Sequence, residues 1–520
     1  MRFALLDKVA QTRGPNSATA NLPAPTGGWN TRDPLAEMAS LDAPLLNNWY
    51  PRFGQCALRG GCLTFASGMT GNVKTLMQYQ PAGGVPKFFA ATDAGIYDIT
   101  AGGTIGAPVH VLTNGYFNSV NFTNSVGDKF LWGCNGVDPV TAWNGTTWLA
   151  PAITGIADPS KLVYPTVFKH HIFCVEKDTM NVWWLPLDSI QGTAAVLPYG
   201  SLFRRGGYVM AITYWTLDSG LGPDDLLVAI SSEGEIAVYS GTNPADATAW
   251  SLVGVWTVGK PVGRRCFENF GADVVLLTEN GVFPLSKLLK AGNINFQAAL
   301  TNKIQPSFTD SVATIGKIEG WDATVFPHFD AMVINIPAGG QITETRQYVM
   351  NTITGAWCSF SGWQAYAFEV WNSHLYYGSK NGTVHWAWEG VSDNGADIVA
   401  TSHQAYNYAG SKTQLKMVNL FRLLLSYSGP IELKWGVSPD YTEVPLNSIS
   451  LRGSSVGGAE WDTFLWDTTL WAGTSERFKN WRAAAHVPGY ALALWWQLAT
   501  KDANVTWSGT DYILAEGGPM

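Results

Sequence analysis

The chain has 520 residues, 46% hydrophobic and 14% charged, with a formal net charge of −8. Against a globular average of roughly 25% charged residues, so thin a supply argues against a fold of many long, solvated helices. No basic run exceeds the pairs Arg204-Arg205 and Arg264-Arg265, which argues against a clamp that grips nucleic-acid phosphates.

The 55 Gly and 27 Pro supply turns, and the 24 Trp, 19 Tyr and 23 Phe suit pleated, half-buried surfaces and interfaces. The opening MRFALLDKVAQTRG has an apolar run of only Phe3 to Leu6, short of the roughly 7–15 residues of a signal peptide. No run of about 18 apolar residues occurs, so neither a secretion signal nor a membrane span is expected. Cys56, Cys62, Cys134, Cys174, Cys266 and Cys358 are too dispersed for a disulfide framework and read as reduced, partly buried thiols made in a cytosol.

Residues 1–62 read as a Pro-rich extended arm. Pro15, Pro23, Pro25, Pro34, Pro44 and Pro51 forbid regular helix or central strand. Residues up to about Ala24 are the more polar and are expected to be mobile alone. The stretch from Trp29 to Leu58 is apolar enough to pack partly on the next domain. A short helical turn is expected at Asp33-Pro34.

Residues 63–395 carry a loose repeat of short strand, Gly-containing turn and second strand. It recurs at 88–100, 130–148, 226–241, 274–286 and 374–388, with further hairpins at 170–187 and 332–360. Asp, Glu or Asn beside Gly between alternating strands signals a hairpin. Repeated four-stranded units of about 40–50 residues predict a β-propeller, here irregular and of about six to eight blades. The one expected helix is short, at 285–293, ending at Lys287, Lys290 and Gly292. Residues 396–520 read as a separate antiparallel β-sandwich, with Leu492, Leu494, Trp496 and Leu498 on one buried face. The fold class expected is therefore all-β.

Candidate chemistry is sparse. Asp224-Asp225 could be a carboxylate pair for glycoside hydrolysis, but adjacent strand residues face opposite ways. His170, His171 and Cys174 could ligate a metal, yet the two histidines also alternate. Cys56 and Cys62 have no common zinc spacing. Trp183-Trp184 and Trp495-Trp496 could stack on sugars, and core packing is the plainer reading. No catalytic residue, metal or cofactor is expected.

The arm reads GGWNTRDPLAEMASLDAPLLNNWYPRFGQCALRGG over 27–61. It resembles the opening of tail nozzle proteins, also called tail hub or stopper proteins, of short-tailed bacteriophages. The matching positions are Asn30, Arg32, Asp33, Pro34, Asp42, Asn48, Trp49, Tyr50, Pro51, Leu58, Arg59 and Gly61. Similar stretches follow in the same order: GSKNGTVHWAWEGVSDNGADIVATSHQAYNYAG (378–410), the Trp-Asp repetition at Trp461-Asp462 and Trp466-Asp467, and the ending TDYILAEGG.

The resemblance implies a structural virion protein, not an enzyme. It implies a six-fold homo-oligomeric ring below the portal and adaptor, assembled in the bacterial host cytoplasm and located in the virion tail. DNA would pass through without sequence-specific binding. The adaptor, a tail fibre or tailspike, and a tail tip or needle would be its partners. The rival readings are a carbohydrate-binding propeller or adhesin, and a propeller glycosidase.

Overall fold

The computed structural model describes residues 17–218, 223–290, 296–340, 342–442, 445–451, 476–477, 480–484 and 488–516. Among the described residues strand accounts for 51% and helix for 7%, so the protein is mostly β, as the scarcity of charge led us to expect. It divides into two compact units, Arg59–Ile398 and the pair Met1–Leu58 with Val399–Met520.

Arg59–Ile398 is a β-propeller. Seven successive groups of three or four antiparallel strands follow one another among the described residues. Their first strands are Thr75–Tyr79, Asn118–Thr123, Leu162–Phe168, Val209–Asp218, Phe267–Phe270, Asp322–Phe326 and Ala367–Trp371. These strands line the axis and pack blade against blade. Ala367–Trp371 of blade 7 comes round to Thr75–Tyr79 of blade 1, which closes the ring. The seven hairpins expected from the sequence fall one to a blade.

Closure depends on the N-terminal end of this unit. Blade 7 takes three strands from 367–387 and a fourth, Cys62–Ser67, antiparallel to Val384–Ala387. Ring-on-ring contact seals the seam. Phe88 of blade 1 stacks on Trp371 of blade 7 at 4.9 Å and 7°, and Phe88 is fully buried. Its burial contributes on the order of 2 kcal/mol. Similar apolar layers fill the gaps between blades 1 and 2, 2 and 3, and 3 and 4.

The irregular repeat spacing has structural causes. Blades 1 and 5 are three-stranded, each extended by a single bridge, Ile96 to His110 and Pro261 to Thr278. A small parallel pair, Ile153–Thr154 with Gly192–Thr193, sits outside the blade repeat. The connection from blade 5 to blade 6 carries helix Leu285–Lys290 and a second helix, Gln305–Ile315. The first was expected, although Gly292, its supposed end, lies outside the described residues. The second was not expected. Its signal is Pro306 in the first turn with Phe308, Val312 and Ile315 at helical spacing, and Phe308 and Ile315 are buried.

The other unit is a two-sheet sandwich. In one sheet Val505–Glu516 is flanked by Lys416–Tyr427 and by Ser17–Pro23. The hairpin Trp49–Arg52 with Gln55–Leu58 joins through Thr506 and Trp507. The other sheet pairs Leu45–Asn47, Ile398–His403, Leu492–Thr500, Ile431–Pro439 and Asn447–Leu451. Leu492, Leu494, Trp496 and Leu498 are buried, as their alternation predicts. Between the sheets Trp496 meets Trp49 at 5.0 Å and Trp507 at 4.8 Å.

Two expectations for the arm are corrected. Residues 17–58 are not a separate extended arm: their strands belong to the sandwich. Ser17–Pro23 runs in continuous antiparallel register from Ser17 opposite Ala515 to Pro23 opposite Gly509, so it is not a loose polar leader. Pro23 fits because it ends an edge strand, where no partner needs its missing N–H. Pro34 lies in a turn closed by Glu37 N–H to Pro34 O at 3.0 Å.

Candidate functional site

The residues that carry the family resemblance form three clusters, two of them internal and one reaching the surface at Arg32 and Pro34. In the first, Asn30 is fully buried. Its Nδ2 donates to Asp33 Oδ2 and to Asp42 Oδ2, each at 2.8 Å, and its Oδ1 accepts the N–H groups of Arg32 and Asp33, each at 3.0 Å. Arg32 Nε pairs with Asp33 Oδ1 at 2.7 Å, and that hydrogen bond raises the Arg32 pKa. The cluster pins a proline-rich loop that has few ladder bonds of its own.

The second cluster is the sandwich core. Trp49, Tyr50 and Pro51 are buried, and Leu58 is half-buried opposite Trp49. Asn48 adopts φ 59°, and its Nδ2 donates to Val399 O at 2.8 Å. Asn tolerates that left-handed backbone better than most residues.

The third cluster joins the two ends of the propeller unit. Arg59, with no exposed side-chain surface, forks onto Asp393: Nη1 to Oδ1 at 2.8 Å and Nη2 to Oδ2 at 2.5 Å. Nη2 also donates to Ser361 O at 2.6 Å, and the guanidinium lies 5.0 Å from the Trp363 ring centre. The backbone must approach closely here. A Cβ on Gly61 would lie 2.0 Å from Ser392 O, and one on Gly362, at φ +101°, would lie 2.5 Å from Asp393 Oδ2. That is the physical reason for Gly61 in the motif. Trp461, Asp462, Trp466 and Asp467 lie outside the described residues.

The other sequence candidates do not converge. The Asp224 side chain lies outside the described ones. Asp225 Oδ2 accepts from Lys169 Nζ at 2.8 Å and Oδ1 from Thr216 Oγ1 at 2.8 Å. The Lys169 hydrogen bond leads in holding its pKa below the usual carboxylate value. His170 is exposed beside Asp188 at 3.2 Å, while buried His171 donates from Nδ1 to Leu185 O at 2.7 Å. Cys174 is buried against Cys134, and burial pushes its thiol pKa up. No three His, Cys, Asp or Glu side chains are grouped to hold a metal among the described residues. Cys56 and Cys62 are buried in different sheets. Trp183 Nε1 donates to Glu176 Oε2 at 2.9 Å and Trp496 is fully buried, so both serve packing.

The sequence reading missed a polar cavity of about 270 Å³ on the propeller axis. Arg265 reaches from the entry to blade 5 towards blades 1 and 2. Its Nη2 donates to Thr75 Oγ1 at 2.5 Å and Phe117 O at 3.0 Å, and its guanidinium lies 4.4 Å from the Tyr116 ring centre. Asp322 approaches it only to 3.8 Å. Glu268 of blade 5 accepts from Val325 N–H at 3.1 Å, and Glu369 of blade 7 accepts from Gln78 Nε2 at 3.1 Å. Burial pushes Glu268 and Glu369 up to about 8, and Asp322 up to about 6 against the pull of Arg265. The available signal was a lone carboxylate in each of three otherwise apolar strand patterns, CFENF, WDATVF and AFEVW. Linear order hid that all three face one axis.

No family model and no curated protein matches the chain. Among solved structures it is similar to the β-propeller domain of Cps50 (Swd1) from Myceliophteria thermophila. That match has 13% identity and a TM-score of 0.40, covering 63% of this chain and 99% of that one. The propeller assignment rests instead on the seven blades and their closure.

Proposed function

We propose that this chain is a structural virion protein, a tail nozzle subunit of a short-tailed bacteriophage. Six copies would form a ring below the portal and adaptor. The observation that carries the reading is what the motif residues do. Asn30, Asp42, Asn48, Trp49 and Arg59 fix how the N-terminal stretch enters the sandwich and how the propeller closes. Two stretches chosen for resemblance, 27–61 and 378–410, meet through Arg59 and Asp393 and through Asn48 and Val399. Motif residues that fall on fold-determining contacts favour common architecture over chance likeness.

In this reading the chain works mechanically. Its ring would conduct DNA without sequence-specific binding, and its outer surfaces would take the adaptor, a fibre or tailspike, and a tip or needle. A ring built head to tail needs two different patches on each subunit. The net charge of −8 suits a wall that does not hold the passing polyanion. The Lys169 and Thr216 contacts of Asp225 favour a scaffold over a propeller glycosidase. Negative-stain class averages of the purified chain, and of tails containing it, test the reading. Six-fold rings are expected. A chain that stays monomeric at high concentration and is missing from purified tails would overturn it.

A further inference from the structure

The axial cavity gathers more negative charge than it neutralises. Glu268, Asp322 and Glu369 project from the inner strands of three consecutive blades, 5, 6 and 7. One cation, Arg265, lines the same cavity, and its donors go largely to Thr75 Oγ1, Lys74 O and Phe117 O. The Lys74 ammonium is turned to Asp93 at 2.8 Å. Blade 1 otherwise presents neutral Thr75, Leu76 and Gln78, blade 2 Asn118 and Ser119, and blade 3 Tyr164. Cys266, Tyr116, Arg264 and Glu319 are the remaining titratable groups that act on the cavity wall. Three ionised carboxylates lining one cavity would repel one another. A protonated carboxyl instead gains a donor and loses the repulsion.

We propose that the propeller hub is a proton-linked latch, in which Glu268 and Glu369 are held as neutral carboxylic acids around ionised Asp322 and release their protons to solvent when the ring loosens. The inference is independent of the virion reading, since it concerns only how the seven blades are held at their axis. The raised pKa of both glutamates and the smaller rise at Asp322 support this division of charge. The sign follows from linkage. A carboxyl whose pKa is higher folded than unfolded binds more protons in the native state, so stability is full below the unfolded value of about 4.3 and falls as pH rises through about 8.

The test compares the full chain with the E268Q/E369Q double variant, whose amides keep the shape and cannot ionise. The thermal midpoint of each is measured from pH 5 to 8, below the range where buried thiols add the same sign. His110, His385 and His403 are common to both proteins, so their opposing contribution cancels in the difference. The variant should gain on the parent steadily as pH rises, and a difference that does not change with pH would overturn the latch. Should the variant fail to fold, calorimetric unfolding of the unsubstituted chain at pH 7.5 in phosphate and in Tris decides. Release of about one to two protons is expected from the linkage, and release of none overturns the proposal.

Discussion

Arg59 and Asp393, 334 residues apart in sequence, form a forked ion pair with no exposed guanidinium surface. The fork ties the first residue of the propeller unit to the loop that leaves blade 7. It sits at the start of Cys62–Ser67, the strand that completes that blade, where Asp393 also bridges Cys62. Buried pairs of this kind are sensitive to the loss of one partner, because the other is left charged and dry.

Asp393→Ala is therefore expected to cost about 3 kcal/mol in chemical denaturation. Arg59→Lys should also destabilise, since an ammonium cannot serve Asp393 and Ser361 O with a planar fork. An Asp393→Ala variant within 0.5 kcal/mol of the parent, roughly the spread of ordinary surface substitutions, would show that the pair does not hold the ring closed.

Trp49 is fully buried between Trp496 and Trp507. Trp49→Ala should cost about 3–5 kcal/mol through lost contact and the cavity left behind. The thermal midpoint of the isolated chain reads this directly, and an unchanged midpoint would remove Trp49 from the core.

Deleting residues 1–24 removes the strand Ser17–Pro23 and strips Val505–Glu516 of one antiparallel neighbour. Buried Leu22 and Ala24 go with it. The truncated chain should unfold at a lower denaturant midpoint, with faster amide exchange along Val505–Glu516. Unaltered exchange there would show that the strand adds nothing to the sheet.

Lys169 and Asp225 are both about a third exposed, at 32% and 38% of side-chain surface. Asp225→Asn should thus change stability by less than about 1 kcal/mol. The parent chain is expected to release no reducing sugar from host glycans. Steady release that Asp225→Asn abolishes would instead make the chain a glycosidase.

Binding to duplex DNA should be weak and fall steeply with added salt, because strong binding draws on many Lys or Arg contacts to phosphate. Fluorescence anisotropy at physiological salt checks this. Submicromolar affinity would contradict a passive conduit.

The class of fold was legible in the residues themselves. Seven hairpins announced themselves through local turn chemistry and strand alternation, and each became part of one blade. Alternation along 492–498 likewise exposed the buried face of a sandwich strand. These signals are local: a turn, a pleat and a side-chain period are set by neighbours a few residues away. Ring closure is different. Nothing near Cys62–Ser67 says that it pairs with Val384–Ala387, nor does anything near Arg59 name Asp393. Proline density made 17–58 look like an extended arm, whereas strands between those prolines found a partner about 450 to 500 residues downstream in the chain, Val505–Glu516. The hub was hidden for the same reason. Glu268, Asp322 and Glu369 are single carboxylates in separate strands, and only the circular order of seven blades brings them to one axis. Local sequence sets which segments are strands, while long-range pairing, where burial must overcome the entropy of closing large loops, decides which strands meet and which charges share a cavity.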